Sequence, residues 1–337
     1  MTSREFAKLL GVSQTTVSRA LNDSDLVPEA KRLHIQKMAK EYGFVLNSHA
    51  KSLRTQRTET IGILFPKHFI GMNSNMMLAH VYDCIQRELH KYGYDIMVIY
   101  YSAEDDDFTS FERIIRTRKV DGFLVLRMEL SPDEMELIRE YQVPCVFLLN
   151  ASAKIPPDLN YLFSDSEYGG YIAGEFLGEV EDDQKLFITL NEEREDAGRR
   201  LKGYRLGLES KGYILRNEDI LSCNLSIESA YQCVMAERTR LIGRKTSIFA
   251  HNDILGIGAV SACRELGLSI PEQVQIISMD DIPLTQALRP QLSTLHVAVE
   301  EMVPQGCKQL IDLIRHEAGP LVQKWIKPSL ILRETTK

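Results

Sequence analysis

From Thr2 to Gly43 the apolar side chains recur at helical spacing and are interrupted by turn residues, which predicts three short helices. Thr2 and Glu5 form a capping-box pair, Phe6, Leu9 and Leu10 supply an apolar face, and Gly11 stops the first helix. Ser13 caps a second helix over Gln14 to Leu21, with Val17, Ala20 and Leu21 at i, i+3 and i+4. Pro28 opens a third helix running to Tyr42, with Ala30, Leu33, Met38 and Ala39 among its apolar positions and Gly43 at its end. Three helices of this size make one small core.

The next stretch, NSHAKSLRTQRT from Asn47 to Thr58, is polar and basic. Ala50 and Leu53 lie at i and i+3, a pattern marginal for an isolated helix, so a hinge that folds only with support is expected. Beyond Thr60 the pattern changes to short apolar runs alternating with amphipathic segments. Strands are expected at 60–65, 95–100, 120–126, 145–149, 161–164, 185–190, 247–250, 275–279, 293–296 and 325–333. Repeated strand and helix units of this length imply parallel sheets covered on both faces, and about 270 residues of them are better divided into two doubly wound lobes than one sheet. The expected fold class is therefore an α-helical N-terminal headpiece followed by an α/β core of two doubly wound lobes. The expected boundaries are 1–46 for the headpiece, 47–59 for hinge and linker, and 60–337 for the core. Within the core, 60–160 with 291–325 are assigned to one lobe and 161–290 with 326–337 to the other. Ligands of such sheets sit beyond the carboxyl ends of the strands, which places a binding cleft between the lobes.

Charge sharpens this division. The chain carries a net charge of −7, which argues against nucleic acid until it is divided along the sequence. Residues 1–57 hold ten Lys/Arg against five Asp/Glu, while the remaining 280 residues hold 30 basic and 42 acidic side chains. Only the N-terminal segment carries an electrostatic footprint for phosphate. No apolar run approaches the roughly 20 residues that span a bilayer, and Met1 to Leu10 lacks the apolar stretch of a signal peptide, so a cytoplasmic chain is expected. Six cysteines (Cys84, Cys145, Cys223, Cys233, Cys263, Cys307) show no CxxC or Cys/His metal spacing and are read as reduced core residues. No metal site and no cofactor are expected, and His80 and His90 are read as surface residues.

The run FAKLLGVSQTTVSRALN, Phe6 to Asn22, has the layout of a helix-turn-helix. Ser13, Thr16 and Ser18 place hydroxyl donors around a helix N-terminus suited to phosphate. Gln14 and Thr15 occupy the first turn, where a helix entering the major groove meets base edges, and Arg19 supplies a bidentate donor for guanine.

On VSQTTVSRALN (Val12 to Asn22), EYGFVLNSHAKSLRT (Glu41 to Thr55), TIGILFP (Thr60 to Pro66), SDSEYGG, RRLKGY, HNDILGIGA, MDD and RPQLSTLHV, the chain resembles the lactose-repressor (LacI/GalR) family of bacterial transcription regulators over essentially its whole length. The resemblance implies a headpiece, a hinge helix and a core like periplasmic sugar-binding proteins, acting as a homodimer on operator DNA. It implies that Gln14 and Thr15 choose the operator, that Arg19 reads the groove and that Asn22 touches phosphate. It also implies that Leu53, beside Ala50, Lys51 and Arg54, wedges between base steps in the minor groove. Thr2 and Asn47 complete the DNA-facing set. In the core, the resemblance implies that Arg200 grips effector hydroxyls, with Asn252 and Asp280 beside it. Asp165 either joins them or caps a helix, and Asp253 and Asp281 are read as structural.

The departures matter as well. Leu46 stands where the family commonly has proline, Leu149 and Asn150 where an acidic and a basic residue are common, Ser278 where glycine is usual, and Leu225 where relatives place an aromatic ring. Lys67, His68 and Arg127 follow the first and third core strands, so a cationic cleft and an anionic effector are a further expectation. The expected effector is a sugar, sugar acid or sugar phosphate. An enzyme is disfavoured because the chain has no GxGxxG or P-loop run, no GxSxG elbow and no HExxH. A binding protein for transported ligands would need a leader and has no use for a basic headpiece.

Overall fold

The computed structural model describes residues 1–21, 23–44, 57–66, 75–99, 107–126, 130–150, 156–190 and 194–337. The headpiece comprises α1 (Ser3–Leu9), α2 (Gln14–Leu21) and α3 (Glu29–Glu41). Phe6, Ala7, Val17, Ala20, Val27, Ile35, Ala39 and Phe44 are buried together, and the Phe6 and Phe44 rings stack with centroids 4.2 Å apart. Two expectations about its faces are corrected. Leu9 is exposed while Ala7 is buried, and α3 turns Ile35 and Ala39 inward while Ala30 and Leu33 face solvent. Ile35 and Ala39, at i and i+4, share one face of α3, and Met38 packs against the same core from beside them.

The core begins with β1 (Thr60–Leu64), α4 (Met76–Lys91), β2 (Asp95–Ile99), α5 (Asp107–Arg116), β3 (Gly122–Val125), α6 (Pro132–Glu140), β4 (Cys145–Leu149) and β5 (Asn160–Ser164). It continues with α7 (Ser166–Gly178), β6 (Gln184–Leu190), α8 (Glu195–Glu209), β7 (Ile220–Cys223), α9 (Ile227–Ala236), β8 (Thr246–Ala250), α10 (Asp253–Glu265), β9 (Val274–Asp280) and β10 (Ser293–His296). It closes with α11 (Val299–Arg315), β11 (Gln323–Ile326) and β12 (Ser329–Ile331). One six-stranded sheet has the order β11-β5-β4-β3-β1-β2 and the other β12-β10-β9-β8-β6-β7. Every pairing is parallel except β10 with β12. These are two doubly wound lobes of the kind the alternating pattern implies.

The strand pairing moves the lobe boundaries. Asn160–Ser164, expected in the second lobe, pairs with β4 and β11 in the first sheet, and Ser293–His296, expected in the first lobe, pairs with β9 in the second. The run 325–333, expected as one strand, divides at Lys327 and Pro328 into β11 in one sheet and antiparallel β12 in the other. The edge strand β7 was not expected. Proline breaks the ladder because it offers no backbone N–H, so the chain changes sheets there.

Two contacts fix the parts that carry function. The Asp121 carboxylate, just before β3, accepts from Thr58 N (2.6 Å), Thr58 Oγ1 (2.9 Å) and Glu59 N (2.8 Å), while Arg57 Nη2 donates to Ile314 O of α11 at 3.1 Å. The end of the linker is therefore pinned to the first lobe. In the second lobe α7 and α8 pack backbone to backbone. A Cβ on Gly203 would lie 1.9 Å from Glu167 O, and one on Gly207 2.2 Å from Tyr171 O. Glycine is required by that approach, and it sets the height of Arg200 on α8.

Candidate functional sites: a DNA-facing helix and an interlobe cleft

In α1 the predicted capping box is complete: Thr2 Oγ1 accepts from Glu5 N at 3.3 Å, and Thr2 N donates to Glu5 Oε2 at 2.7 Å. Thr2 is thus engaged locally. Ser13 caps α2, accepting from Thr16 N at 3.0 Å, and its hydroxyl lies 2.8 Å from that of Thr16. Val17 and Ala20 anchor α2 in the core, which leaves Gln14, Thr15 and Arg19 exposed on the opposite side and Ser18 half-buried. The helix N-terminus, two exposed first-turn side chains and a guanidinium one turn later make a surface that can meet phosphate and base edges together. Asn22, Asn47, Ala50, Lys51, Leu53 and Arg54 lie outside the described residues.

The second site lies at the carboxyl ends of β8 and β9. Arg200 is buried at 3% exposure, donates through Nη1 to His251 O and through Nη2 to Ser166 Oγ at 3.4 Å. Ser166 begins α7, just after β5 of the first sheet, so this guanidinium joins the crossing segment to the second sheet. One turn before it, Asp196 takes a two-pronged pair from Arg194 at 3.0 Å for each oxygen and lies 3.8 Å from His251 Nε2. Among the described residues, Arg200 Nε and His251 Nδ1 have no hydrogen-bond partner.

The charges in this cluster are mutually dependent. Burial pushes the Asp196 carboxyl up, but the attraction of His251 and Arg194 outweighs it and holds the group down at about 2. Burial first, and then Arg200, push the His251 ring well below its ordinary range, so the imidazole is uncharged at neutral pH, where Arg194 is the cation paired with Asp196, and the attraction of His251 adds to that of Arg194 only in acid. Asp280, at the end of β9, is pushed well above the carboxylate range by burial and by Asp253. Its backbone has φ 134° and that of Asp281 φ 65°, conformations that L-residues rarely adopt. Strain of this kind marks the turn that carries Asp280, whose charge and that of Arg200 influence each other. The described part of the cleft sets the guanidinium groups of Arg194 and Arg200 beside the carboxyl groups of Asp196 and Asp280, so it offers both hydrogen-bond donors and acceptors. Lys67, His68 and Arg127, which carried the expectation of a cationic cleft, lie outside the described residues.

Other predicted residues have local duties. Asn252 caps α10, accepting from Leu255 N at 3.1 Å, and Asp165 caps α7, accepting from Tyr168 N at 3.1 Å. Asp253 binds Ser278 Oγ (2.5 Å), Thr294 Oγ1 (2.6 Å) and Ile282 N (2.8 Å), fastening the turn that carries Asp280. Ser278, where glycine is usual, fits because Gly256 faces it: a Cβ at 256 would lie 2.9 Å from Ser278 Cβ. Leu149 is buried at φ 81°, and Leu225 is partly exposed. Sequence reasoning missed Arg194, Asp196, His251 and Ser166. The acid and base at i, i+4 in Asp196 and Arg200 were the available signal. A surface depression of about 1040 Å³ lies at the amino ends of the second sheet against Asp182, Lys245 and Gln273, away from this chemistry.

Comparison with known proteins places two domains along the chain. Residues 2–47 match the family described as bacterial regulatory proteins, lacI family, and residues 185–336 match the periplasmic binding protein-like domain. The chain is 26% identical to the HTH-type transcriptional repressor PurR of Vibrio vulnificus, covering 100% of this chain and 98% of that one. It is 25% identical to the PurR repressor of Haemophilus influenzae with the same coverage. Among solved structures, a transcriptional regulator CelR–cellobiose complex superposes with a TM-score of 0.74 at 22% identity over 99% of each chain. A LacI family regulator from Enterococcus faecium with bound ribose superposes with a TM-score of 0.71 at 24% identity, over 82% of this chain and 98% of that one. No helix among the described residues is long and apolar enough to cross a membrane.

Proposed function

Since the chain belongs to the lacI family of bacterial regulatory proteins, we propose that it is a homodimeric repressor of a carbohydrate-utilisation operon, released from its operator when a sugar or sugar derivative closes the two lobes. The observation that carries the reading is the buried, partly unsatisfied pair of Arg200 and His251 beside Asp280. A buried polar atom left unpaired costs about 1 to 3 kcal/mol, which a ligand hydroxyl recovers on binding. Donors and acceptors side by side suit a polyhydroxyl ligand, and the solved structures similar to this chain with cellobiose and ribose hold ligands of that class.

The mechanism has three linked parts. Gln14, Thr15 and Arg19 read base edges, while Ser13, Thr16, Ser18 and Asn22 hold phosphate. Ala50 and Leu53 form the hinge pair, with Leu53 inserted at a base step. Closure of the second lobe on ligand shifts the first lobe, and Asp121 and Arg57 pass the displacement to the linker pinned on them. Coupling of this kind is reciprocal, so operator DNA weakens ligand binding by the same factor.

The test is a thermal-shift screen of sugars, sugar acids, sugar phosphates and nucleobases, followed by electrophoretic retardation of neighbouring genomic DNA with each hit. Ligand binding to the native state raises the unfolding midpoint. Arg200→Ala is expected to lose that shift and the ligand-induced release while keeping DNA binding. Arg19→Ala is expected to cost about 1 to 3 kcal/mol on operator DNA and much less on random DNA. Preference for an acidic ligand over its neutral parent would replace the neutral sugar by an anionic one.

A further inference from the structure

Away from both sites, α4 and the first turn of α11 bring together three side chains that neither function uses. His80 and Cys84 stand at i, i+4 on one face of α4, and Glu300 approaches from α11 with Oε1 2.8 Å from His80 Nε2. The ligand atoms of His80, Cys84 and Glu300 all lie within 4.8 Å of one another. Cys84 is 4% exposed, and Arg87 Nη2 donates to its sulfur at 3.1 Å. The second carboxylate oxygen of Glu300 lies 3.6 Å from His296 Nε2, at the carboxyl end of β10. The other nitrogen of His296, Nδ1, is 3.1 Å from Asp281, which Arg333 holds at 2.5 Å.

We propose that His80, Cys84 and Glu300 bind a thiophilic divalent transition metal of the zinc class, with His296 placed to supply the fourth ligand. The donor set of one sulfur, imidazole nitrogen and carboxylate oxygen is that of tetrahedral zinc, with bonds of about 2.0 to 2.3 Å. The outer contacts match what such sites use. Asp281 fixes the His296 ring so that Nε2 faces Glu300, as carboxylates orient metal-bound histidines, and the Arg87 N–H group donates to the Cys84 sulfur. On binding, the Cys84 S–H bond is exchanged for a sulfur–metal bond, and the proton leaves to solvent. The site lies where α4 and α11 of the first lobe meet β10 of the second, so an ion held by His296 as well would fasten the two lobes together.

Chelator-treated full-length protein is titrated with Co²⁺ and then Zn²⁺. One equivalent of Co²⁺ per chain, with a sulfur-to-cobalt charge-transfer band bleached by Zn²⁺, is expected. Cys84→Ser abolishes that band, and His80→Ala and Glu300→Gln each weaken Co²⁺ binding at least about tenfold, while an unchanged thermal unfolding transition of the core shows the variants folded. X-ray absorption at the zinc edge of the unmutated protein reads the first shell without any substitution and is expected to show one sulfur. Absence of a stoichiometric Co²⁺ band, a band that survives Cys84→Ser, or a zinc shell without sulfur overturns the proposal. Ligand response at Arg200 is measured separately, so a failed metal site leaves the regulatory reading standing.

Discussion

The headpiece and the core use their hydrophobic interiors in opposite ways. In the headpiece, a core of eight buried side chains, Val17 and Ala20 of α2 among them, anchors that helix and leaves Gln14, Thr15 and Arg19 on the solvent side. In the second lobe, Arg200, Asp196 and His251 are themselves buried, and their charges are set by one another. A surface reader needs only a stable platform, because water already satisfies its side chains. A buried site needs its neighbours, because each polar atom withdrawn from water must find a partner in the protein or in a ligand.

The largest change expected to break this contrast is Phe6→Ala. Removing a fully buried ring that stacks on Phe44 costs about 4 kcal/mol by the usual range for aromatic truncation, enough to unfold a domain of this size. DNA binding is then lost while the ligand-induced thermal shift of the core persists, and loss of both would show that the two regions fold as one. Gly203→Ala is the mirror case. The added methyl meets Glu167 O at 1.9 Å and forces α7 from α8, at a cost of about 3 kcal/mol for severe overpacking. Core unfolding followed by tryptophan fluorescence should shift, and effector binding should fall with it because Arg200 rides on α8.

Acid titration gives a third, smaller effect. Asp196 lies at about 2 in the folded chain against an ordinary 3.8, so its contribution is present above pH 4 and disappears as pH falls through 2. That shift corresponds to about 2 kcal/mol, at 1.36 kcal/mol per unit. Core stability measured by urea unfolding across that window should fall steeply in the unmutated protein and more gently in Asp196→Asn. The smallest effect belongs to the headpiece. Ser13→Ala removes the cap on Thr16 N and is expected to cost about 1 kcal/mol of headpiece stability, read by its own thermal transition. An exposed cap that mattered as much as Asp196 would erase the distinction between the two regions.

What the sequence by itself determined was periodic or local. The capping box of Thr2 and Glu5, the stops at Gly11 and Gly43, and the strand and helix alternation after Thr60 depend on neighbours within a few residues, and each is present in the structure. The exposure of Gln14, Thr15 and Arg19 was legible for the same reason, since the buried face of a short helix follows from its own spacing. Tertiary structure decided everything that depends on distant partners. It placed Asn160–Ser164 and Ser293–His296 in sheets opposite to those expected, because hydrogen-bond pairing, which an apolar run does not encode, assigns a strand to its sheet. It joined Asp196 and Arg200 to His251, and His80 and Cys84 to Glu300, across separations of 51 and 220 residues. Spacing within a helix shows which side chains share a face, but only packing shows what that face meets, and there the buried charges of the cleft acquire their chemistry.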